Sequence, residues 1–167
     1  EPPSALFSPC HAPAFAYLTS VANAFCDIAA AANLRVRFQV GEPWWWIDFR
    51  SHVPHFYDPS TIAAWRAEKG SDPPVIADMT APMTAAQTAY CDWLGDKLAG
   101  SVLDLIAAVR ARHPDAVGYA LLYLPQLLDA RTPEAHRVNM PAGLAYPRLD
   151  VLQLEDYDFV IDDRPDL

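Results

Sequence analysis

The sequence predicts an α/β fold built on a parallel sheet, and three observations predict it. Helical patterns of ten or more residues alternate with short apolar strands, the segment Gly118 to Leu124 is almost continuously apolar, and a polar cluster follows each strand. From Pro13 to Asn33, Phe15, Leu18, Val21, Phe25 and Ile28 recur at three- and four-residue spacings, the mark of an amphipathic helix with one buried face. Leu34 to Val40 alternates apolar and polar residues, which predicts a strand ending at Gly41-Glu42-Pro43. Asp58-Pro59 places an N-cap before a proline in the first turn, and the helix so begun runs to about Glu68.

Thr84-Ala85-Ala86-Gln87 is a capping box that opens the longest helix, to about Arg112. Its inner face carries Tyr90, Trp93, Leu94, Leu98, Val102, Leu105, Ile106 and Val109. Gly118 to Leu124 follows as a strand covered on both faces. Thr132 to Pro147 reads as a loop, and Asp150 to Leu154 as a third strand closed by Glu155-Asp156-Tyr157-Asp158. A complete (β/α)8 barrel of the TIM type takes about 250 residues and at least about 200. With 167 residues, the chain is expected to be one domain over 1–167 forming a segment of such a barrel. A smaller open α/β sheet is the alternative. The start at Glu1-Pro2-Pro3 suggests a piece excised from a longer chain.

Composition narrows the function. A chain 52% apolar and 20% charged has the makings of a packed core. A net charge of −9 with scattered arginines offers neither the basic stripe that nucleic acid requires nor an attraction to anionic lipid. The most apolar stretch, Ala12 to Leu34, is interrupted by Thr19, Ser20, Asn23 and Asp27, so no membrane-inserted helix is expected. Three cysteines without CxxC spacing support no zinc site, and Cys26 and Cys91 fit as small buried hydrophobes. His52, His55 and Asp58 match no common metal spacing, and there is no Gly-x-Ser-x-Gly elbow or glycine-rich phosphate loop. Neither a metal nor a cofactor is expected.

In parallel α/β architectures ligands bind at the carboxyl ends of strands. Glu42, the segment Gln126 to Asp129, and Glu155-Asp156 fall there. Two carboxylates from different strand ends are what glycoside hydrolysis needs, one protonated to assist the leaving group and one ionised to attack or to activate water. Tryptophans beside them suit sugar rings, whose apolar faces pack on aromatic ones. In an extended run Trp44 and Trp46 share a side and Trp45 is buried or packed on a neighbouring helix. Each residue also has another reading: the tryptophans as core or subunit contacts, Glu42 as a solvated rim residue, Asp156 and Asp158 as caps of a turn or ligands of a cation.

Val40-Gly41-Glu42-Pro43-Trp44-Trp45-Trp46, Phe56-Tyr57-Asp58, the segment Ala81 to Thr88, and Leu152 to Phe159 together resemble the TIM-barrel-like, glycoside-hydrolase-like domain of tail proteins of phages and gene transfer agents. The resemblance runs from about Ala12 to Ile161. It implies a virion tail or extracellular particle component, made in the bacterial cytoplasm, that associates with other tail proteins. It also implies action on cell-surface glycan or peptidoglycan sugars. On that reading Glu42 is the acid/base and Glu155 the nucleophile of a retaining hydrolase, and Trp44, Trp46, His55, Tyr57, Tyr123, Gln126, Gln153 and Asp156 line the sugar subsites. Gly41 stands where retaining barrel hydrolases carry the Asn that holds the sugar's 2-hydroxyl. That departure keeps a second expectation open, a catalytically inactive glycan-binding or structural tail module.

Overall fold

Local signals start and stop the helices. In the computed structural model, which describes residues 8–48 and 50–155, α1 spans Ala12–Ala31 with a proline in its first turn, and Asn33 follows in the left-handed region (φ 56°). Strand β1 is Arg37–Val40. Helix α2, Pro59–Lys69, is capped by the Asp58 carboxylate, which accepts from the Ser60 and Thr61 amides at 2.9 and 3.1 Å, and it ends at Gly70 with φ 72°. Helix α3, Ala85–Arg112, opens on the Thr84/Gln87 capping box. Then come β2 (Val117–Tyr123), the single turn α4 (Leu124–Leu127), α5 (Ala135–Asn139), a 3-10 turn (Ala142–Leu144) and β3 (Val151–Glu155).

The three strands form one parallel sheet in the order β1-β2-β3, with Phe38 beside Gly118, Val40 beside Ala120 and Leu122 beside Leu154. Parallel neighbours connected through helices are the βα units the sequence predicted. Among the described residues the sheet is open, and a closed barrel is not shown.

Helices cover one face of this sheet. Phe38 and Val40 pack against α1 and α3, and Ala120 packs against Ala99, Val102 and Ile106 of α3. Gly118 is required here, because a β-carbon on it would lie 2.7 Å from Ile106. The other face presents Arg37 and Gln39, the half-buried Tyr119, Leu121 and Tyr123, and Gln153. The expectation that β2 is covered on both faces is therefore corrected. Only its alternate residues Gly118, Ala120 and Leu122 are buried, because described helices pack on one side alone.

A second core lies beyond the sheet, under the N-terminal half of α3. Tyr90, Trp93 and Leu94 meet Trp65 of α2, and Trp45, Phe56, Ile76 and Met79 arrive from the loops. Its rings interlock edge-to-face and stacked: Trp65 on Tyr90 at 4.9 Å, Trp65 on Trp93 at 5.3 Å, and Tyr57 on Tyr90 at 5.7 Å. The Tyr90 hydroxyl donates to the Phe56 carbonyl at 2.9 Å and the Trp93 indole to Glu68 at 2.7 Å, whereas the Trp65 indole nitrogen is buried without a hydrogen-bond partner. Cys26 and Cys91 are buried free thiols, as expected, and burial pushes Cys91 up to about 12.

Two further expectations change. In α1 the packed residues are Ala14, Ala22 and Cys26, with Phe15 and Leu18 beside them. Phe25 and Ile28, read from spacing as inward-facing, are 70% and 66% exposed. The small side chains of Ala14, Ala22 and Cys26 form the seam together with Phe15 and Leu18, while Phe25 and Ile28 turn outward. By length and composition alone α1 is apolar enough to cross a membrane, with a window of mean hydropathy 1.3, against the expectation of no membrane helix drawn from its polar interruptions. One of its faces is nevertheless held on α3, where Asp27 pairs with Arg112 at 2.6 Å. The segment read as a loop from Thr132 to Pro147 contains α5 and the 3-10 turn, and both pack against α3.

Candidate functional site

Strand β1 delivers Glu42 at its carboxyl end, through Gly41. Glu42 adopts φ 51°, a region a non-glycine residue enters at a cost, and its carbonyl accepts from the Trp44 amide at 2.9 Å across Pro43. Beyond this tight turn the tryptophan run meets α3 at Leu94. A side chain on Gly41 would meet nothing within 4 Å, so packing does not demand a glycine where the hydrolase pattern has Asn.

The tryptophans divide three ways. Trp45 is buried and its indole donates to the Leu94 carbonyl of α3 at 2.9 Å, the inward turn the alternation predicted. Trp44 is half-buried and stacks on Tyr123 at 5.7 Å, at the end of β2. Trp46 is 39% exposed.

What fixes the run is a residue the sequence reading passed over. Asn139, at the end of α5, is 2% exposed. Its side-chain oxygen accepts from the Trp45 amide at 2.7 Å, and its side-chain nitrogen donates to the Trp45 carbonyl at 3.0 Å. The pair of bonds replaces a strand neighbour for an otherwise irregular backbone. The same nitrogen donates to Gln126 Oε1 at 2.7 Å, so Gln126 is tied into the framework. The only sequence signal for Asn139 is an amide in the otherwise short apolar stretch Val138 to Met140.

Between α1, the end of β1 and α3 lies a cavity of about 350 Å³. Phe15, Leu18, Val40, Leu98, Val102 and Leu105 form apolar walls, and Glu42, Trp44, Trp46, His55, Asp58 and Ser101 also line it. Glu42, Trp44, Trp46 and His55 all line this one cavity. Among the described residues no hydrogen bond or ion pair engages the Glu42 carboxylate.

The remaining predicted residues lie elsewhere. Glu155 ends β3, opposite Tyr123 in register, and is not among the residues lining the Glu42 cavity; its Oε2 is buried without a hydrogen-bond partner. Gln153 is exposed, opposite Leu121. The Tyr57 hydroxyl donates to the Pro74 carbonyl at 3.0 Å and accepts from the Ile76 amide at 2.7 Å, which pins a loop, and burial raises its phenol. Asp156 lies outside the described residues. The Asp58 carboxylate is engaged in capping α2, and among the described residues no three metal-binding side chains converge.

A family model described as the TIM barrel of non-contractile tail sheath protein matches residues 1–166. The chain belongs to that family. Comparison with curated proteins and comparison with solved structures gave no match. Membership supports the tail-protein half of the resemblance and the α/β architecture, and implies a component of a virion tail. It lends nothing to the hydrolase half.

Proposed function

We propose that the domain is a structural, non-hydrolytic module of a virion tail, and that the loops at the carboxyl ends of its strands contact neighbouring tail proteins. The observation that carries this reading is that Glu155 is not among the residues lining the cavity that Glu42 lines. Glycoside hydrolysis needs both carboxylates across one bond. Several proposed sugar-binding side chains are also committed to internal contacts: Tyr57 to the Pro74 loop, Gln126 to Asn139, and Trp44 to Tyr123.

A second reading, hydrolysis with Glu42 as acid/base and Glu155 as nucleophile, is favoured by the clustering of Glu42 with Trp44 and Trp46. One assay separates the two. The parent tail protein is incubated with peptidoglycan and with bacterial polysaccharide, as wild type, Glu42→Gln and Glu155→Gln, and reducing ends are measured. The structural reading expects all three to match the buffer control. Release by the wild type that either substitution abolishes overturns it.

A further inference from the structure

We propose that the cavity beside Glu42 receives a lysine side chain from a neighbouring tail protein, with the alkyl stem between α1 and α3 and the ammonium at Glu42. This inference rests on the reading of the strand-end face as a protein contact and names the chemistry of that contact. Three features support it.

The first is shape and polarity. At about 350 Å³, the cavity is at the lower end of the range for small-ligand sites, about 300–1,000 Å³. Phe15, Leu18, Val40, Leu98, Val102 and Leu105 offer apolar surface of the kind that lines the stem of a long cationic side chain.

The second is charge. Two carboxylates, Glu42 and Asp58, line the space along with His55. Asp58 already accepts from Ser60, Thr61 and the Thr61 hydroxyl. Glu42 has no cation among the described residues, and a chain of net charge −9 draws cations towards it. The Ser101 hydroxyl, which donates to the Leu98 carbonyl at 2.8 Å, keeps lone pairs free to accept from an ammonium.

The third is pre-organisation. Glu42 is held at φ 51° by the Pro43 turn, and the tryptophans after it are anchored through Trp45 to Leu94 and Asn139. A backbone held in a costly conformation beside an unpaired carboxylate suits a contact made from outside. A sugar would present no cation to Glu42, and an anionic partner would be repelled. Lysine fits better than arginine, because its compact charge and flexible four-carbon stem do not ask for the paired acceptors that a planar guanidinium does.

The test uses the full tail protein and n-pentylammonium as the probe, compared with n-pentanol, pentanoate and N-acetylglucosamine by calorimetric titration at about pH 8, where ordinary imidazole is neutral and the amine charged. Pentylammonium should bind about tenfold more tightly than pentanol, the increment of one charge-assisted hydrogen bond. Pentanoate should bind more weakly still, and added salt should erode the preference. Glu42→Gln should reduce pentylammonium to the level of pentanol. Ser101→Phe, which fills the cavity from α3, should abolish both while the circular-dichroism melt is retained. Equal binding of pentylammonium and pentanoate overturns the proposal, as does an unchanged affinity in folded Glu42→Gln. Binding of N-acetylglucosamine alone, lost in Glu42→Gln, overturns it in favour of a glycan site. Failure of all four probes removes the lysine inference but leaves the structural reading to its own assay.

Discussion

Asn139→Leu should free the Trp45 backbone and cost about 3 kcal/mol locally, the sum expected for stranding a buried donor and a buried acceptor at about 1–3 kcal/mol each. Leucine has a similar size, so the change removes bonds and leaves no large cavity. It deprives the Trp45 amide, the Trp45 carbonyl and Gln126 Oε1 of their partner at once. Hydrogen exchange in the intact tail protein reads this directly. The Trp45 amide should lose about two orders of magnitude of protection, since each factor of ten corresponds to about 1.4 kcal/mol. Amides in the middle of β2 should change far less. Unchanged protection at Trp45 would mean that the indole bond to Leu94 alone holds the run.

Two glycines of α3 should respond to alanine with opposite signs. At Gly95 a β-carbon would lie 2.2 Å from the Arg137 carbonyl oxygen and 3.1 Å from Pro141. The first obstacle is backbone, so α5 must move off α3 and take Asn139 with it. Alanine gains about 1 kcal/mol of helix propensity, but overpacking of this severity costs about 3 kcal/mol or more, so Gly95→Ala should destabilise by about 2 kcal/mol net. At Gly100 a β-carbon meets nothing within 4 Å. Gly100→Ala should therefore keep the propensity gain and stabilise by about 0.5–1 kcal/mol. Thermal unfolding should place the two variants on either side of the wild type. A Gly95→Ala variant as stable as Gly100→Ala would show that α5 does not sit against α3 as described.

These positions also mark where the sequence is readable and where it is not. Asp58, Thr84 and Gln87 announce their helices because capping is local chemistry between residues two or three apart. The alternation from Arg37 to Val40 and the apolar run of β2 gave the strands, and the helices between them made the sheet parallel. Spacing misled in α1, where helical periodicity identifies an apolar stripe without saying which side packs. Ala14, Ala22 and Cys26 make the contact while Phe25 and Ile28 face out. Asn139 and Gly95 were invisible for a different reason. Each matters through a partner more than 40 residues away, Trp45 for the amide and Arg137 for the glycine, and no local pattern encodes such a pairing. Glu42 is legible as a strand-end acid beside tryptophans, whereas the cavity around it depends on the distant Phe15 and Leu18 of α1 and Leu98 to Leu105 of α3. A pairing of Glu42 with Glu155 could not be read from spacing, because it depends on which face of the sheet each side chain serves.

Contact of the strand-end face with neighbouring tail proteins is tested most directly by oxidative footprinting of Trp46. This ring is 39% exposed in the chain alone. Trp46 should label rapidly in the free tail protein and be strongly protected in the assembled tail, with no change when soluble peptidoglycan fragments are added to the free protein. Equal labelling in free and assembled protein, with protection appearing only on addition of the sugar, would contradict it.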